Sequence, residues 1–440
     1  MCLEPPELGM QKKIGLLQTT SINMIDMVGI GPFITLPLVI GLLNGPYFLY
    51  AWFAGALLSF VDAMVWSELG AKYPLAGGTY NFLRKSYGRE GGRWMSFLFV
   101  WQTSIQAPLV IASAAIGFAQ YLSYIFPLPW WGEKMVGGGV VILIIVLLYR
   151  NISEIGKISV ALWIGVLLTL AWIIGSGIWK GHILEPLIHI NDGLTLNSGF
   201  IAALGFASVK SVYSYLGYYN VCHIGNEIKD PVRNIPRSMF LSIVGISILY
   251  ILMNMSVTSV IPWQEAKDSK YVLSLFMERL AGPIAATVLT CLILWVAFAS
   301  VFSATLGYSR IHYAAAKDGA FFKIFARTHP TKDFPYVSLL FLGAVGFVFS
   351  LLFRLSEVIS AILAMRILIQ FIGQSVGLIL LHRRGETFPF KMPLYPIPVL
   401  IAIGLWIFIL ISTGWGLVLS GIAMIGLGLI VFYIKEKWQK

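Results

Sequence analysis

Two short segments of this chain have the composition of breaks inside apolar helices. Residues 28–33 are Val-Gly-Ile-Gly-Pro-Phe, and residues 213–220 are Tyr-Ser-Tyr-Leu-Gly-Tyr-Tyr-Asn. Proline removes a backbone donor and disrupts the preceding turn, but it suits the first turn of a new helix. A broken helix frees backbone groups, and the N–H groups at a helix start attract negative charge. The predicted chemistry is therefore binding of a small charged molecule by main-chain groups.

The elements that hold these segments are predicted to cross a membrane. The chain is 58% hydrophobic and 12% charged, whereas soluble domains are about 25% charged. Its apolar runs are long and continuous, which favours helices of roughly 20 residues over the alternating strands of a β-barrel. The predicted fold class is an all-α membrane protein with about twelve transmembrane helices. The predicted spans are roughly 17–43, 46–71, 94–125, 135–150, 158–179, 198–228, 238–261, 284–313, 336–353, 357–381, 396–413 and 415–434.

The net charge of +11 is explained by topology, and nucleic-acid binding is not predicted. Most of the 31 Lys and Arg residues fall in segments on the side of the membrane where the chain starts. The positive-inside rule assigns that side to the cytoplasm. Both termini, in tails 1–15 and 435–440, are therefore predicted to be cytoplasmic, with the protein in the inner or plasma membrane.

The two breaks occupy matching positions, in the first and sixth spans. These spans lead two halves of five helices, and an odd number of helices gives the halves opposite orientations. Exposed backbone is tolerated at membrane depth only where it is buried in protein or lines a wet cavity. Interrupted segments at corresponding positions of inverted halves indicate a midplane binding site in a secondary transporter.

Four groups of residues form a further pattern. They are Gly29–Phe33; Ser67-Glu68-Leu69-Gly70 with Pro74, Gly77-Gly78 and Tyr80; Tyr213 to Glu227 with Asp230-Pro231, Arg233-Asn234 and Ile235-Pro236; and Gly307-Tyr308-Ser309-Arg310 with Ala314 to Gly319 and His329-Pro330. Together they resemble the amino acid–polyamine–organocation superfamily, closest to its L-type amino acid transporter branch and to bacterial amino acid permeases. The resemblance, over about residues 14–400, implies the leucine-transporter-type fold. That fold is a five-plus-five inverted repeat, here at 16–180 and 198–382, with two accessory helices at 396–434.

The resemblance also implies secondary active transport of amino acids by alternating access. A zwitterion requires donors for its carboxylate and acceptors for its ammonium group, and unpaired main-chain groups at the breaks supply both. The predicted substrate contacts are the amides of Ile30, Gly31 and Phe33 and the carbonyl groups of Met27, Tyr213, Ser214 and Leu216. Since no side-chain charge is required, neutral L-amino acids are the predicted substrates. Tyr213 matches the family's aromatic gate, and Leu216 replaces a glycine of the L-type branch, which argues against large aromatic substrates.

Ionisable side chains inside spans are costly and usually functional. Asp26, one turn before the first break, is either a proton- or cation-coupling carboxylate or the structural partner of a buried cation. Arg366 is the candidate cation and forms a polar stripe with Gln370 and Gln374. An ion pair of Arg366 with Asp26 or Asp62 is predicted, and a structural role for it is favoured over gating.

Further candidates lie nearer the cytoplasmic ends of the spans. Glu68 is predicted to anchor the inner gate or a loop. His223 and Glu227 could share a proton, although packing and capping are favoured for both. Ser300 and Ser303 are weak sodium candidates. The fifth span has no lysine at 163–166, where some proton-coupled relatives have one, so coupling stays open among exchange, protons and sodium.

No metal-ligand spacing, phosphate loop or nucleophile motif occurs in the sequence, so no enzymatic activity and no cofactor are predicted. The predicted partners are an amino acid, the lipid bilayer and a coupling proton or sodium ion. Because Cys2, Cys222 and Cys291 fall in the N-terminal tail or in spans, no disulfide-linked heavy chain is expected. The alternatives are a polyamine or cationic amino acid transporter, in which Asp26 pairs with a second ammonium group, and a transport-inactive nutrient sensor.

Overall fold

The computed structural model describes residues 14–75, 77–149, 152–331 and 334–439, and helices make up most of them. The α-helices are α1 Leu16–Met27, α2 Gly31–Leu43, α3 Leu49–Lys72, α4 Thr79–Ser86, α5 Gly88–Ile125, α6 Trp130–Leu148, α7 Ile152–Lys180, α8 Glu185–Ile188, α9 Ser198–Tyr215, α10 Pro231–Thr258, α11 Trp263–Ala266, α12 Val272–Ala281, α13 Pro283–Lys317, α14 Tyr336–Leu352, α15 Leu355–Arg366, α16 Gln374–Arg383, α17 Ile397–Ser412 and α18 Trp415–Gln439. A π-helical stretch, Ile367–Gly373, joins α15 to α16. Within the described ranges, β pairing is limited to an isolated bridge between Ile14 and Ile228.

Among the described residues, seven helices are long and apolar enough to cross a membrane. They are Pro46–Lys72, Gly88–Ile125, Trp130–Leu148, Pro231–Thr258, Pro283–Lys317, Leu355–Arg383 and Trp415–Lys437. The α1–α2 pair makes an eighth span, bent by 49°. The remaining apolar helices are shorter: α14 has 17 residues, α17 has 16, and α9 ends where its span breaks. The all-helical membrane fold is confirmed, whereas helix length alone supports seven or eight of the expected twelve spans.

The outside of the bundle is apolar. Leu143 and Val146 on α6 are 50% and 61% exposed, and Leu419 and Ile422 on α18 are 62% and 53% exposed. Exposed aliphatic side chains on long helices are unfavourable in water but suit contact with lipid. This surface identifies the chain as a multi-pass membrane protein.

The centre of the bundle is built around the broken helices. α2 packs against α9, α1 packs against α10, and α5 packs against both α13 and α15. Residues at the first break are among the most deeply buried, with Ile30 and Phe33 fully enclosed. We call the end of the bundle that carries Leu16 the inner end, and the end that carries Leu43 the outer end.

Candidate binding site at the helix breaks

The first break lies between α1 and α2. α1 ends at Met27 and α2 begins at Gly31, so Val28, Gly29 and Ile30 connect them. Pro32 occupies the first turn of α2, where its missing N–H costs no hydrogen bond and its fixed φ favours the helix. The break between the two helices lies slightly earlier than the predicted 29–33 because the proline starts the second helix.

Two amides at this break have no partner within the described residues. Neither Ile30 N nor Gly31 N donates a hydrogen bond there. The amide of Phe33, by contrast, donates to Ile30 O at 3.1 Å. The predicted set of three free donors is therefore wrong for Phe33, and two adjacent N–H groups remain at the positive end of the α2 dipole.

The second break follows α9. That helix ends at Tyr215, and the chain continues through Gly217 into 3₁₀ turns at Asn220–His223 and Gly225–Glu227. Gly217 has φ of +120°, and a Cβ atom there would lie 2.8 Å from the carbonyl carbon of Asp26. Glycine is therefore required both by its backbone conformation and by its close approach to α1. The two breaks touch each other at this point.

The carbonyl groups near the breaks are less free than the sequence suggests. Met27 O accepts hydrogen bonds from Gly29 N at 3.0 Å and from the Tyr250 hydroxyl at 2.7 Å. The same hydroxyl also lies 3.0 Å from Ser214 O, so the two carbonyl groups share its single proton. Since a carbonyl oxygen has two lone pairs, the expectation that Met27 O is unpaired is wrong. Tyr250, on α10, therefore bridges the ends of α1 and α9, a contact that the sequence does not predict.

The carbonyl oxygens of Tyr213 and Leu216 can still accept hydrogen bonds. Tyr213 O receives one hydrogen bond, from Leu216 N at 3.3 Å, and Leu216 O receives none from a described residue. With the second lone pair of Ser214 O, three carbonyl groups of the second break can still accept hydrogen bonds. The predicted acceptor set is reduced by Met27 alone.

The side chains of α9 cover Gly31. A Cβ atom on Gly31 would lie 3.3 Å from Tyr213 Cε1 and 3.3 Å from Ser214 Oγ. The Tyr213 hydroxyl pairs with Ser113 Oγ on α5 at 2.7 Å, and Ser214 Oγ pairs with Thr35 Oγ1 at 2.9 Å. The first break is therefore covered from α9 by side chains fixed to α5 and α2.

One residue on the inner side of the same region is loosely packed. Ser303 on α13 donates to Asp26 Oδ1 at 2.9 Å, so this face of α13 is directed toward α1. Gly307 lies one turn further along the same face. It is exposed, and a Cβ atom there would have no neighbour within 4 Å.

The buried charges do not form the predicted ion pair. Arg366 Nε donates to Gln370 Oε1 at 2.8 Å, and no carboxylate of the described residues lies within ion-pair distance of it. Asp26 accepts from Ser303 and Asn220, which are both neutral. The predicted pairing of Arg366 with Asp26 or Asp62 is wrong in this conformation, because each carboxylate has neutral donors of its own.

Asp62 joins three parts of the bundle. Its Oδ2 accepts hydrogen bonds from Trp66 Nε1 at 2.8 Å and from the Tyr218 hydroxyl, and its Oδ1 accepts from Trp406 Nε1 at 2.9 Å. Trp66 is on α3, Tyr218 follows the second break, and Trp406 is on α17. Three donors satisfy a fully buried carboxylate, which lowers the cost of its burial. Asp62 therefore fixes the inner part of the second break to α3 and to α17.

Replacement of Asp62 with asparagine tests this connection. An amide keeps one oxygen and turns the other acceptor into a donor, so at least one buried N–H or O–H group loses its partner. Such a loss costs about 1–3 kcal/mol, and we expect the melting temperature in detergent, read by tryptophan fluorescence, to fall by roughly 1–3 °C. Asp192→Asn, at an exposed position beside His189, is the control. Equal melting temperatures for the two variants would contradict the role of Asp62.

The remaining polar candidates lie toward the inner end or on α9. Glu68 Oε1 lies 3.2 Å from His382 Nε2 and accepts from Met392 N, so Glu68 contacts the loop before α17, as expected of an anchor. His223 and Glu227 are in separate 3₁₀ turns, with no described hydrogen bond between them through which they could share a proton.

Two further side chains have definite partners. Lys210 donates to Ser356 O at 2.8 Å and to Ser360 Oγ at 2.7 Å, which ties α9 to α15. Of the sodium candidates, Ser303 contacts Asp26, and Ser300 Oγ lies 2.6 Å from the position of a Cβ atom on Gly29. No cluster of three His, Cys, Asp or Glu residues that could hold a metal ion occurs in the described part of the chain.

The sequence similarity to known proteins extends over both helix breaks. A family model described as amino acid permease matches residues 14–433, which include both breaks. This chain belongs to the amino acid permease family. The permease is 26% identical over 417 residues to the serine/threonine exchanger SteT of Bacillus subtilis, with 92% of each chain covered.

Two other relatives align over nearly the full permease. The branched-chain amino acid permease BcaP of Bacillus subtilis is 21% identical over 460 residues, which cover 98% of this permease and 94% of BcaP. The human large neutral amino acids transporter small subunit 2 is 25% identical over 452 residues, which cover 98% of this permease and 82% of the relative. The predicted superfamily is confirmed.

Proposed function

We propose that this permease is a secondary active transporter of neutral L-amino acids that works by alternating access. Its twelve spans would be α1–α2, α3, α5, α6, α7, α9, α10, α13, α14, α15–α16, α17 and α18. The inverted repeats would occupy 16–180 and 198–382, with the accessory helices at 396–434. The inner end would face the cytoplasm because basic residues concentrate there.

The observation that carries this proposal is the pair of free amides at Ile30 and Gly31. Two adjacent N–H groups at a helix start form an anion site without any side chain. We assign the substrate carboxylate to this site. Tyr213 would cover the bound molecule from the outer side, as a gate.

The ammonium group would bind the carbonyl groups of Tyr213, Ser214 and Leu216. These carbonyl groups belong to the end of α9, which carries the negative end of a helix dipole. A zwitterion placed between the two breaks would then satisfy donors of one helix and acceptors of the other. Main-chain groups alone satisfy both charges of the zwitterion, so binding needs no charged side chain, which favours neutral amino acids. The names of the three relatives, which specify serine and threonine, branched-chain and large neutral amino acids, agree with that choice.

Alternating access is supported by the asymmetry around the breaks. Tyr213 and Lys210 are each bonded to neighbouring helices on the outer side, whereas Gly307 is exposed on the inner side. We assign this structure to an inward-facing state. Transport would require the contacts of Tyr213 and Lys210 to open while the region beside Gly307 closes.

The function is tested with purified permease in liposomes preloaded with one unlabelled amino acid. We expect counterflow to accumulate the same labelled amino acid, after a thermal-shift screen of the twenty amino acids has selected it. Binding in the screen without any flux would contradict transport and would favour the nutrient sensor. Flux of lysine or a polyamine in preference to leucine and alanine would contradict the neutral substrate class.

Coupling is proposed to run through Asp26, which contacts both α13 and the second break. Asp26→Asn keeps the size of the side chain, but it turns one of the two acceptor oxygens into a donor and cannot exchange a proton. We therefore expect the variant to retain counterflow, and its net uptake to lose most of its pH dependence.

The measurement is initial uptake between pH 5 and pH 8, with and without sodium. Asp192→Asn is the surface control. A pH profile equal to that of the wild type would show that Asp26 is a structural residue. Loss of sodium dependence, with the pH profile unchanged, would assign Asp26 and Ser303 to a sodium site instead.

A further inference from the structure

Arg366 is a buried cation, and no carboxylate of the described residues lies within ion-pair distance of it. Its side chain is 3% exposed, and its guanidinium carbon lies 5.3 Å from the ring centre of Tyr219 and 5.8 Å from that of Phe371. Its hydrogen-bond partners, Gln370 and Tyr219, are both neutral. The aromatic faces stabilise a cation only partly, so the positive charge of Arg366 acts on whatever lies nearby.

The position of Arg366 is beside the proposed substrate site. Ile362, one helical turn earlier on α15, is buried in a cluster against which Tyr213 and Leu216 pack. Residues four apart share a helix face, so Arg366 follows Ile362 on the side of α15 that faces the second break. Its contact with Tyr219, three residues after Leu216, places the guanidinium group at the inner side of that break.

Arg366 offsets part of the negative charge that two carboxylates place around the breaks. Asp26 lies at the first break and Asp62 at the inner part of the second, and both are hydrogen-bonded to neutral donors in this conformation. A substrate with a cationic side chain would be attracted by these carboxylates and repelled by Arg366. Repulsion between two like charges about 8 Å apart, at an effective dielectric constant of about 20, weakens the binding of the cationic substrate by roughly 30-fold.

We infer that Arg366 is a specificity-determining residue that excludes amino acids with cationic side chains. The inference rests on the proposed function, and it adds the residue that separates neutral from cationic substrates. Without Arg366, the two carboxylates would leave the region between the breaks attractive to a second ammonium group. The permease would then accept lysine alongside its neutral substrate.

The test compares lysine with norleucine, which has a similar length and lacks the terminal ammonium group. For the wild type in liposomes, we expect norleucine to inhibit uptake of the neutral substrate and lysine to inhibit more than tenfold less. Equal inhibition by both compounds would overturn the inference without any variant. Absence of uptake of any amino acid by the wild type would instead overturn the proposed function.

Arg366→Gln removes the charge, and Arg366→Lys keeps it. We expect the ratio of lysine uptake to neutral uptake to rise more than tenfold in Arg366→Gln and to stay near the wild-type value in Arg366→Lys. A merely structural arginine would lower both uptakes together and leave their ratio unchanged. An unchanged ratio in an Arg366→Gln variant that still transports the neutral substrate would overturn the inference. If that variant does not fold, the comparison of inhibition by lysine and norleucine in the wild type tests the inference instead.

Discussion

Replacement of Gly31 with valine is expected to abolish substrate binding and to lower uptake by at least roughly 100-fold. A Cβ atom on Gly31 would already be 3.3 Å from Tyr213 Cε1 and from Ser214 Oγ. The two γ-methyl groups of valine would extend further into the space above the free amides of Ile30 and Gly31. The measurements are substrate-induced thermal stabilisation and initial uptake in liposomes.

The control for this variant is Gly404→Val. Gly404 is also helical, and a Cβ atom there would have no neighbour within 4 Å. We expect Gly404→Val to be expressed, to fold and to take up substrate like the wild type. Wild-type affinity in Gly31→Val would show that the carboxylate does not bind at the start of α2.

Gly217→Ala should have the second large effect. A non-glycine residue at φ of +120° is strained by about 1–3 kcal/mol, and its Cβ atom would lie 2.8 Å from the carbonyl carbon of Asp26 and 2.9 Å from Met27 N. Because both neighbours are backbone, the methyl group can be accommodated only if the two breaks move apart. We expect uptake to fall more than tenfold and the melting temperature to drop, measured on the same preparation.

A control variant, Gly282→Ala, separates the effect of backbone strain at positive φ from the effect of the close contact with α1. Gly282 has φ of +88°, and a Cβ atom there would meet nothing within 4 Å. This control should lose some stability and retain transport. If Gly217→Ala lost no more uptake than Gly282→Ala, the contact between the two breaks would have no part in transport.

The main features of the fold follow from local sequence signals. Long apolar runs predict membrane helices, and these appear with boundaries close to those expected. The break before Pro32 follows from proline geometry, and the break at Gly217 from glycine and polar residues at membrane depth. Both signals are local, since a few consecutive residues determine where each helix ends.

The partners of the polar groups could not be predicted in the same way. Tyr250 stands in an apolar stretch of α10, and nothing around it indicates that its hydroxyl bridges Met27 O and Ser214 O. Trp406, in a span that reads as an accessory helix, binds Asp62 across 344 positions of sequence. Such pairings depend on how distant helices pack, which a single sequence does not specify.

The error about Arg366 has the same physical origin. From sequence, a buried cation and two buried carboxylates suggest an ion pair, because an unpaired charge is costly in a membrane. In the fold, neutral tyrosine, tryptophan, serine and asparagine donors surround the carboxylates, and aromatic rings and Gln370 surround Arg366. The chain thus offers several ways to stabilise a charge, and only the packing selects among them.

The most direct measurement is an experimental structure of the permease with its selected amino acid bound. We expect a carboxylate oxygen at hydrogen-bonding distance, about 2.7–3.2 Å, from both Ile30 N and Gly31 N. We also expect the ammonium group to lie against carbonyl oxygens at the end of α9. Density for the amino acid elsewhere, with these two amides still unbound, would contradict the central claim.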